Sequence, residues 1–207
     1  MDYIKNPRAI EEKSFQIIEE EMGDNNFTHR ELLIIKRVIH TTADFEYKNL
    51  VYIRQGAIES ALQLLKKGTK IYTDTNMILA GINKKALKTL NCSAICYVAD
   101  NEVAKISKDR GITRSMAAME KAAGEGINFF VIGNAPTALY KLKELIEEGK
   151  CSPSFVIAVP VGFVGAAQSK KDFEELKLPV ITVRGRKGGS TVAAAIINSL
   201  LYMLVNR

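Results

Sequence analysis

The hydrophobic and polar positions of this chain follow two different patterns. Up to about residue 69, apolar side chains recur every three or four residues, which is typical of amphipathic helices. From Lys70 onward, short apolar runs alternate with polar loops and further helical stretches, which predicts strands joined by helices. The predicted strands are KIYT, SAICYV, NFFVIG, SFVIAV and VITV. The helical stretches between them cover residues 102–108, 115–123, 137–148, 170–176 and 191–204.

The region before residue 70 is predicted to be helical. Asn6-Pro7 gives a cap followed by a helix-starting proline. The segment Thr28-His29-Arg30-Glu31 is a capping box that opens a second helix, and a third helical pattern ends at Gly68. In the first helix Ser14 lies in an apolar stripe, where a small buried serine that serves only packing is the simpler interpretation.

The alternation of strands and helices predicts an α/β fold, open and doubly wound. We expect a mainly parallel sheet of about five strands with helices on both faces and a helical N-terminal region, because parallel neighbours need long crossover connections. One domain is expected over residues 1–207, with the helical region at 1–69 and the sheet region at 70–207. The apolar stretch 190–205 is short for a membrane span and contains Asn198, so it predicts a core helix.

Ligands of such sheets bind beyond the carboxyl ends of the strands. The loops that this rule selects are residues 73–76, 99–101, 133–137, 160–166 and 184–190. They are rich in glycine, hydroxyl and amide groups, and several lead into helix N-termini, whose unpaired N–H groups favour anions. Turns require the same residue types. Together with Arg186 and Lys187, however, the loops predict a broad cleft for an anionic ligand.

The charge balance agrees with an anionic partner. The formal net charge is +6 and the sequence pI is about 9.1. Basic residues are scattered, with no basic tail or aromatic-interleaved basic strand, so we expect no nucleic-acid partner. The N-terminus has no secretory signal and no membrane association is expected. The three cysteines fit neither a disulfide framework nor a metal site, which favours a reducing cytoplasm.

A proton donor or acceptor that works near neutral pH is scarce in this chain, which has two histidines. His29 lies in the capping box, where exposure in the first helical turn is the simple interpretation. His40 comes where the apolar pattern of the same helix ends, and a side chain there can reach into a pocket. An imidazole that only bonds nearby carbonyls is the alternative for His40.

Several familiar sites are absent from the sequence. It has neither a phosphate-binding G-x-x-x-x-G-K-[ST] motif nor a dinucleotide G-x-G-x-x-G motif. It also lacks G-x-S-x-G, H-E-x-x-H and a Cys/His quartet, which disfavours a serine hydrolase and a zinc enzyme. We therefore expect no resident metal and no cofactor.

Six segments carry a resemblance that covers nearly the whole chain. They are RVIHTTADFEY (37–47), KIYTDTNMILAGI (70–82), TRS (113–115), NAPTAL (134–139), PVGFVGAAQSKKDF (160–173) and GRKGGSTVAAAIIN (185–198). In this order they resemble the precorrin-8X methylmutases and their cobalt-precorrin-8 counterparts. The resemblance implies a cofactor-independent isomerase of cobalamin biosynthesis that moves a methyl group from carbon 11 to carbon 12 of the corrin ring. It also implies a corrinoid polycarboxylate substrate and a homodimer.

The resemblance also assigns roles to residues. His40 matches the histidine that is proposed to protonate the macrocycle near ring C, and Ser14 and Arg37 match positions that contact the substrate. Loop placement adds further binders of carboxylate arms or ring edges: Thr75, Arg114, Thr137, Ser169, Lys170 and Arg186. Thr42 and Gln168 stand where related members often carry Gly and Glu. A carrier that binds corrinoids without chemistry is the alternative, although it would need no titrating group at position 40.

Overall fold

Six strands form one sheet in the order β1-β6-β5-β4-β2-β3. The computed structural model describes residues 3–205, so residues 1, 2, 206 and 207 of the expected domain lie outside the described part. Strands β2 to β6 run parallel, and β1 pairs antiparallel with β6. The strands are β1 (Val51–Ile53), β2 (Lys70–Thr73), β3 (Ser93–Ile95), β4 (Phe129–Ile132), β5 (Phe155–Ala158) and β6 (Val180–Val183).

The mainly parallel α/β sheet is confirmed, but β1 was missed. It has only three residues, all of them half-buried, and it lies at the edge of the sheet inside the region that we expected to be helical. Its pairing partner, Val183 opposite Val51, is far along the chain and therefore leaves no local signal. Strand β3 is shorter than predicted and ends at Ile95.

Helices cover both faces of the sheet, as expected. On one face lie α1 (Pro7–Met22), α2 (His29–Thr42), α3 (Tyr47–Leu50), α4 (Ala57–Lys67), α5 (Asn76–Gly81), α6 (Lys84–Thr89) and α11 (Ser190–Tyr202). On the other face lie α7 (Asn101–Arg110), α8 (Arg114–Gly124), α9 (Pro136–Glu147) and α10 (Ala166–Glu175). The short helices α5 and α6 were not predicted.

Two hydrophobic cores share the sheet because successive strand residues point to opposite faces. In β4, Phe129 and Val131 belong to the core with α2 and α11, whereas Phe130 and Ile132 belong to the core with α8 and α9. Helix α11 is buried along most of its length, which confirms the predicted core helix. Within residues 3–205, no helix is long and apolar enough to cross a membrane.

Four of the predicted ligand loops are hydrogen bonded to one another beyond the carboxyl ends of the strands. The Asp74 carboxylate accepts from the 133–135 backbone, and the Gly162 N–H donates to the Arg186 carbonyl at 3.1 Å. The hydroxyls of Thr75 and Ser190 lie 3.0 Å apart. These contacts place one continuous rim of polar loops next to the N-terminus of α11. The fifth loop, 99–101, caps α7 through Asp100.

Candidate active site

His40 lies in the last turn of α2, and the reasons are local. The predicted capping box is present, with Thr28 accepting from the Glu31 N–H and the Glu31 carboxylate accepting from the Thr28 N–H. The apolar face of the helix is buried, and Ala43, in the left-handed conformation with φ 52°, ends it. His40 is exposed, and its imidazole makes no hydrogen bond to another residue in the range 3–205. The structure therefore does not support the alternative in which the His40 imidazole only forms hydrogen bonds with nearby carbonyls.

Two surface cavities flank the imidazole of His40. The first is about 280 Å³ and lies between α2 and α11. The second is about 230 Å³ and lies between α1 and the end of α2. The first is lined by Arg37, His40, Thr41, Thr191, Ala194, Ala195, Asn198 and Tyr202. The second is lined by Ser14, Ile17, Ile18, Glu21, Ile39, His40, Ala43 and Phe45.

Arg37 stands one turn before His40 and is held on three sides. Its guanidinium forms an ion pair with Glu11 at 2.6 Å. The guanidinium carbon lies 4.7 Å from the centroid of the Phe15 ring and 5.3 Å from that of Tyr202, which is the range of favourable cation–π contacts. Arg37 thus brings a fixed positive charge to the cavity that His40 also lines.

Ser14 lines the second cavity together with His40. Its hydroxyl donates to the Ile10 carbonyl at 2.8 Å, one helical turn earlier in α1. This bond leaves the oxygen with acceptor capacity toward the cavity. The apolar side chains on the same face of α1 are divided, since Ile18 is buried whereas Ile10 and Ile17 are 45% and 40% exposed.

Thr75 is connected to the region around His40 by a contact with the start of α11. It caps α5 by accepting from the Ile78 N–H, and its hydroxyl contacts that of Ser190 at the start of α11. The next residue, Thr191, lines the larger cavity beside His40. The structure therefore brings His40, Arg37 and Thr75 to one side of the loop rim.

Arg114 and Thr137 form a separate group on the opposite helix layer. The Thr113 hydroxyl donates to that of Thr137 at 3.1 Å, joining the N-terminal ends of α8 and α9. Arg114, the first residue of α8, is exposed, and no carboxylate among residues 3–205 pairs with it. This group offers an exposed cation and two hydroxyls next to helix N-termini.

Ser169 and Lys170 require a correction of the expected geometry. Both side chains are buried, at 1% and 0% exposure. Ser169 donates to the Ala166 carbonyl at 3.1 Å, and Lys170 donates to the Lys187 carbonyl at 2.6 Å. Facing inward, neither side chain presents a donor to a carboxylate arm in this arrangement. Burial also lowers the pKa of Lys170 to about 8.

Lys187 connects the 184–190 loop with the segment that follows α2. Its ammonium forms ion pairs with Asp44 and Glu46. The hydrogen bond from Lys187 holds the pKa of Asp44 below its usual range, and these two carboxylates raise that of Lys187. Since Lys170 holds the carbonyl of Lys187, the two lysines fix the loop against the end of the helix that carries His40.

Asp74 is a structural position of the loop rim that the sequence interpretation did not single out. Its buried carboxylate accepts from the N–H groups of Gly133, Asn134 and Ala135 at 2.8–2.9 Å. Burial raises the pKa of Asp74, whereas these three donors act in the opposite direction. The carboxylate therefore fixes the 133–137 loop to the end of β2.

The face of α11 that lines the larger cavity was also missed. Thr191, Asn198 and Tyr202 recur at helical spacing, and a polar face on an otherwise apolar helix is the signal that could have identified them. The Asn198 side chain is engaged with the start of α6, since its oxygen accepts from the Asn83 N–H at 2.8 Å.

The arrangement suits acid–base chemistry on an anionic ligand. His40 supplies an exposed imidazole, and Arg37 supplies a guanidinium that its neighbours hold in place. Among residues 3–205, no group of three or more His, Cys, Asp or Glu side chains is placed to hold a metal ion.

Comparison with known proteins gives one consistent result. A family model described as precorrin-8X methylmutase matches residues 9–203. The cobalt-precorrin-8 methylmutase of Salmonella typhimurium is 44% identical, covering 99% of both chains. That of Leptospira interrogans is 42% identical over 97% of this chain and 95% of the relative. The crystal structure of precorrin-8x methyl mutase from Thermus thermophilus superposes with a TM-score of 0.88, at 38% identity and 95% coverage of each chain.

Proposed function

This chain belongs to the precorrin-8X methylmutase family, and we propose that it moves a methyl group from carbon 11 to carbon 12 of a precorrin-8 corrin ring, with His40 as the proton donor. As a member of the family it is an isomerase of cobalamin biosynthesis. The exposed imidazole of His40, between two cavities, is the observation that carries the assignment of the acid.

The substrate is proposed to be the cobalt-containing form. Curated relatives named cobalt-precorrin-8 methylmutase are 44% and 42% identical to this chain, whereas the relative from Sinorhizobium named precorrin-8X methylmutase is 37% identical. In this proposal cobalt enters as part of the substrate and the product is cobyrinate. The metal-free substrate would give hydrogenobyrinate.

The proposed reaction requires one proton from the protein and a substrate held in a fixed geometry. His40 donates a proton near ring C, which makes the destination carbon electrophilic. The methyl group then leaves carbon 11 as its bond to carbon 12 forms, in a 1,5-sigmatropic shift. Because substrate and product are isomers, the proton returns to His40 at the end. Positioning and charge stabilisation supply the remaining rate enhancement.

The carboxylate arms of the corrinoid are proposed to bind along the loop rim. Arg37, Arg114 and Arg186 offer guanidinium groups, which pair well with carboxylates. Thr75 and Thr137 offer hydroxyls at the starts of α5 and α9, and Ser14 offers one from the middle of α1. Ser169 and Lys170 support the rim from inside, because both side chains are buried.

A homodimer is proposed from the apolar surface around α1 and α2. Ile10, Ile17 and Leu33 are 45%, 40% and 38% exposed, and exposed large apolar side chains on adjacent helices favour association. Ile17 also lines the smaller cavity beside His40, so a second copy docked there would help enclose the site. The protein is proposed to act in the cytoplasm, without a nucleic-acid or membrane partner.

The test is direct because the substrate is coloured. Purified protein is mixed with cobalt-precorrin-8 or with precorrin-8X, and the visible absorption is followed under single-turnover conditions. Isomerisation changes the conjugation of the ring and therefore the spectrum, and mass spectrometry should show a product of unchanged mass. A spectral shift on binding without conversion would identify a corrinoid carrier instead.

A further inference from the structure

Two apolar side chains at the tip of the loop after β5 are highly exposed. Phe163 is 84% exposed and Val164 is 89% exposed. On either side of the tip the chain returns to the interior, where Val159 and Ala166 are fully buried. No step of the proposed chemistry uses this pair.

The loop is held at both ends, so the exposed pair is presented by a fixed frame. On one side, the Gly162 N–H donates to the Arg186 carbonyl at 3.1 Å. On the other, the Tyr140 hydroxyl donates to the Gly165 carbonyl at 3.0 Å. Gly165 has φ 74°, a left-handed conformation that favours glycine, and a Cβ there would lie 3.1 Å from the Tyr140 ring.

Arg186 adds a charge beside the apolar tip. Its guanidinium carbon lies 5.4 Å from the centroid of the Phe163 ring. Its neighbours Arg184 and Lys187 are each paired with carboxylates of the protein, but no carboxylate among residues 3–205 lies within ion-pair distance of Arg186. The exposed Phe163 ring and the Arg186 guanidinium therefore lie side by side at the tip of the loop.

We propose that Phe163 and Val164 contact the hydrophobic surface of the corrin macrocycle while Arg186 binds a carboxylate arm at its edge; this inference rests on the proposed function. A ligand that satisfies both groups has an apolar surface with carboxylates at its periphery, and the corrinoid substrate has both. The loop follows β5 at the carboxyl edge of the sheet, where ligands of this architecture bind. Phe163 and Val164 are therefore assigned to substrate affinity and orientation.

A second copy of the chain is the competing occupant of this tip. The unpaired charge of Arg186 beside the ring favours the polycarboxylate, because burial of an unpaired cation in a subunit contact is costly. The exposed apolar residues of α1 and α2 offer a separate surface for self-association.

The experiment measures the affinity for cobyrinate, by absorbance titration, of the wild type and of the double variant Phe163→Ala, Val164→Ala. Both side chains are exposed, so folding should be retained. We expect the dissociation constant to rise about tenfold or more through lost apolar contact, with the salt dependence unchanged. Arg186→Gln should weaken binding and reduce the salt dependence. Phe163→Leu should retain most of the affinity, and Tyr3→Ala, at an exposed aromatic outside the loop, should have no effect.

Unchanged affinity in the double variant would overturn the assignment. Sedimentation of the same double variant tests whether a second copy of the chain occupies the tip instead. If the wild type is a dimer and the double variant a monomer, the tip is a subunit contact and the assignment to substrate binding is also overturned. If the wild type neither binds cobyrinate nor converts cobalt-precorrin-8, the proposed function itself fails, and this inference fails with it.

Discussion

The ring of Phe15 lies 5.2 Å from the imidazole of His40, measured between centroids, with the two planes tilted by 43°. The same ring supports the guanidinium of Arg37 at 4.7 Å. One aromatic side chain of α1 therefore sets the spacing between the proposed proton donor and the nearest fixed positive charge. Phe15 directly follows Ser14, which lines the smaller cavity. Two adjacent residues of α1 therefore contact His40, Arg37 and that cavity.

The two histidines give a matched test of the acid. We expect His40→Ala to lower the rate of isomerisation by about a hundredfold to ten-thousandfold, the usual cost of removing a positioned acid, while product binding changes little. His29→Ala, at an exposed position in the first turn of the same helix, should retain the wild-type rate. Single-turnover absorbance measures both rates, and wild-type turnover by His40→Ala would remove His40 from the mechanism.

Corrinoid binding should depend on salt through Arg37, Arg114 and Arg186. Single exposed ion pairs are weak, but several that converge on one polycarboxylate add up and are screened by salt. We expect the affinity for cobyrinate to fall between low and high salt, and to fall less steeply in Arg114→Gln. Arg30→Gln is the control, because Arg30 is an exposed arginine paired with Glu59. Equal affinity at all salt concentrations would point to apolar contacts alone.

The buried Lys170 predicts a particular dependence of stability on pH. Burial lowers its pKa from 10.5 to about 8, so between these values the unfolded chain holds a proton that the folded chain has lost. The free energy of unfolding should therefore rise with pH across this window. Below the window, Lys170 should cause no change of the unfolding free energy with pH. Denaturant unfolding should show this rise in the wild type and in Lys171→Met, whose side chain is exposed, but not in Lys170→Met. A rise that persists in Lys170→Met would contradict the assignment.

Association through α1 should be sensitive to charge. We expect the double variant Ile10→Glu, Ile17→Glu to be monomeric in analytical ultracentrifugation and to lose activity, because a second copy would then no longer enclose the cavity beside His40. Glu12→Gln, at an exposed position of the same helix, changes charge without disturbing the apolar surface and should remain dimeric. A double variant that still sediments as a dimer would move the interface elsewhere.

Full activity should survive exhaustive chelation and dialysis, with no nucleotide or methyl donor added. The sequence has no phosphate-binding motif and no credible metal-ligand cluster, and an intramolecular shift needs no external methyl group. A substrate labelled in the migrating methyl should give a product that retains the label. A strict requirement for S-adenosylmethionine would indicate a methyltransferase instead.

The sequence predicted what local periodicity determines. The parallel sheet, the helices on both faces, the capping box and the place of His40 at the end of α2 all follow from patterns within a few residues of each other, and the structure has them. The edge strand β1 depends on a partner far along the chain, so no local pattern could indicate it. The polar face of α11 that includes Tyr202 was visible in the sequence at helical spacing but was overlooked. The single-domain organisation stays a prediction.

Side-chain direction was the second limit. Lysine is almost never fully buried without a partner, so an exposed Lys170 was the reasonable expectation, yet its ammonium points inward to the Lys187 carbonyl. Ser169 is likewise buried on α10, whereas Arg114 and Arg186 are exposed as expected. Residue type indicated the right loops and helices, but packing against the neighbouring loop decided which side chains reach solvent.

The packing of α2 against α11 has a consequence for the order of folding during synthesis. Helix α2 makes its most extensive helix contacts with α11, and β1 pairs with β6, although both partners leave the ribosome more than a hundred residues later. Until then, Ile34, Ile35 and Val38 of α2 lack part of their apolar cover. The segment that carries His40 therefore acquires its final environment only after residues 180–202 have been made, and the cavity between α2 and α11 is a late product of translation.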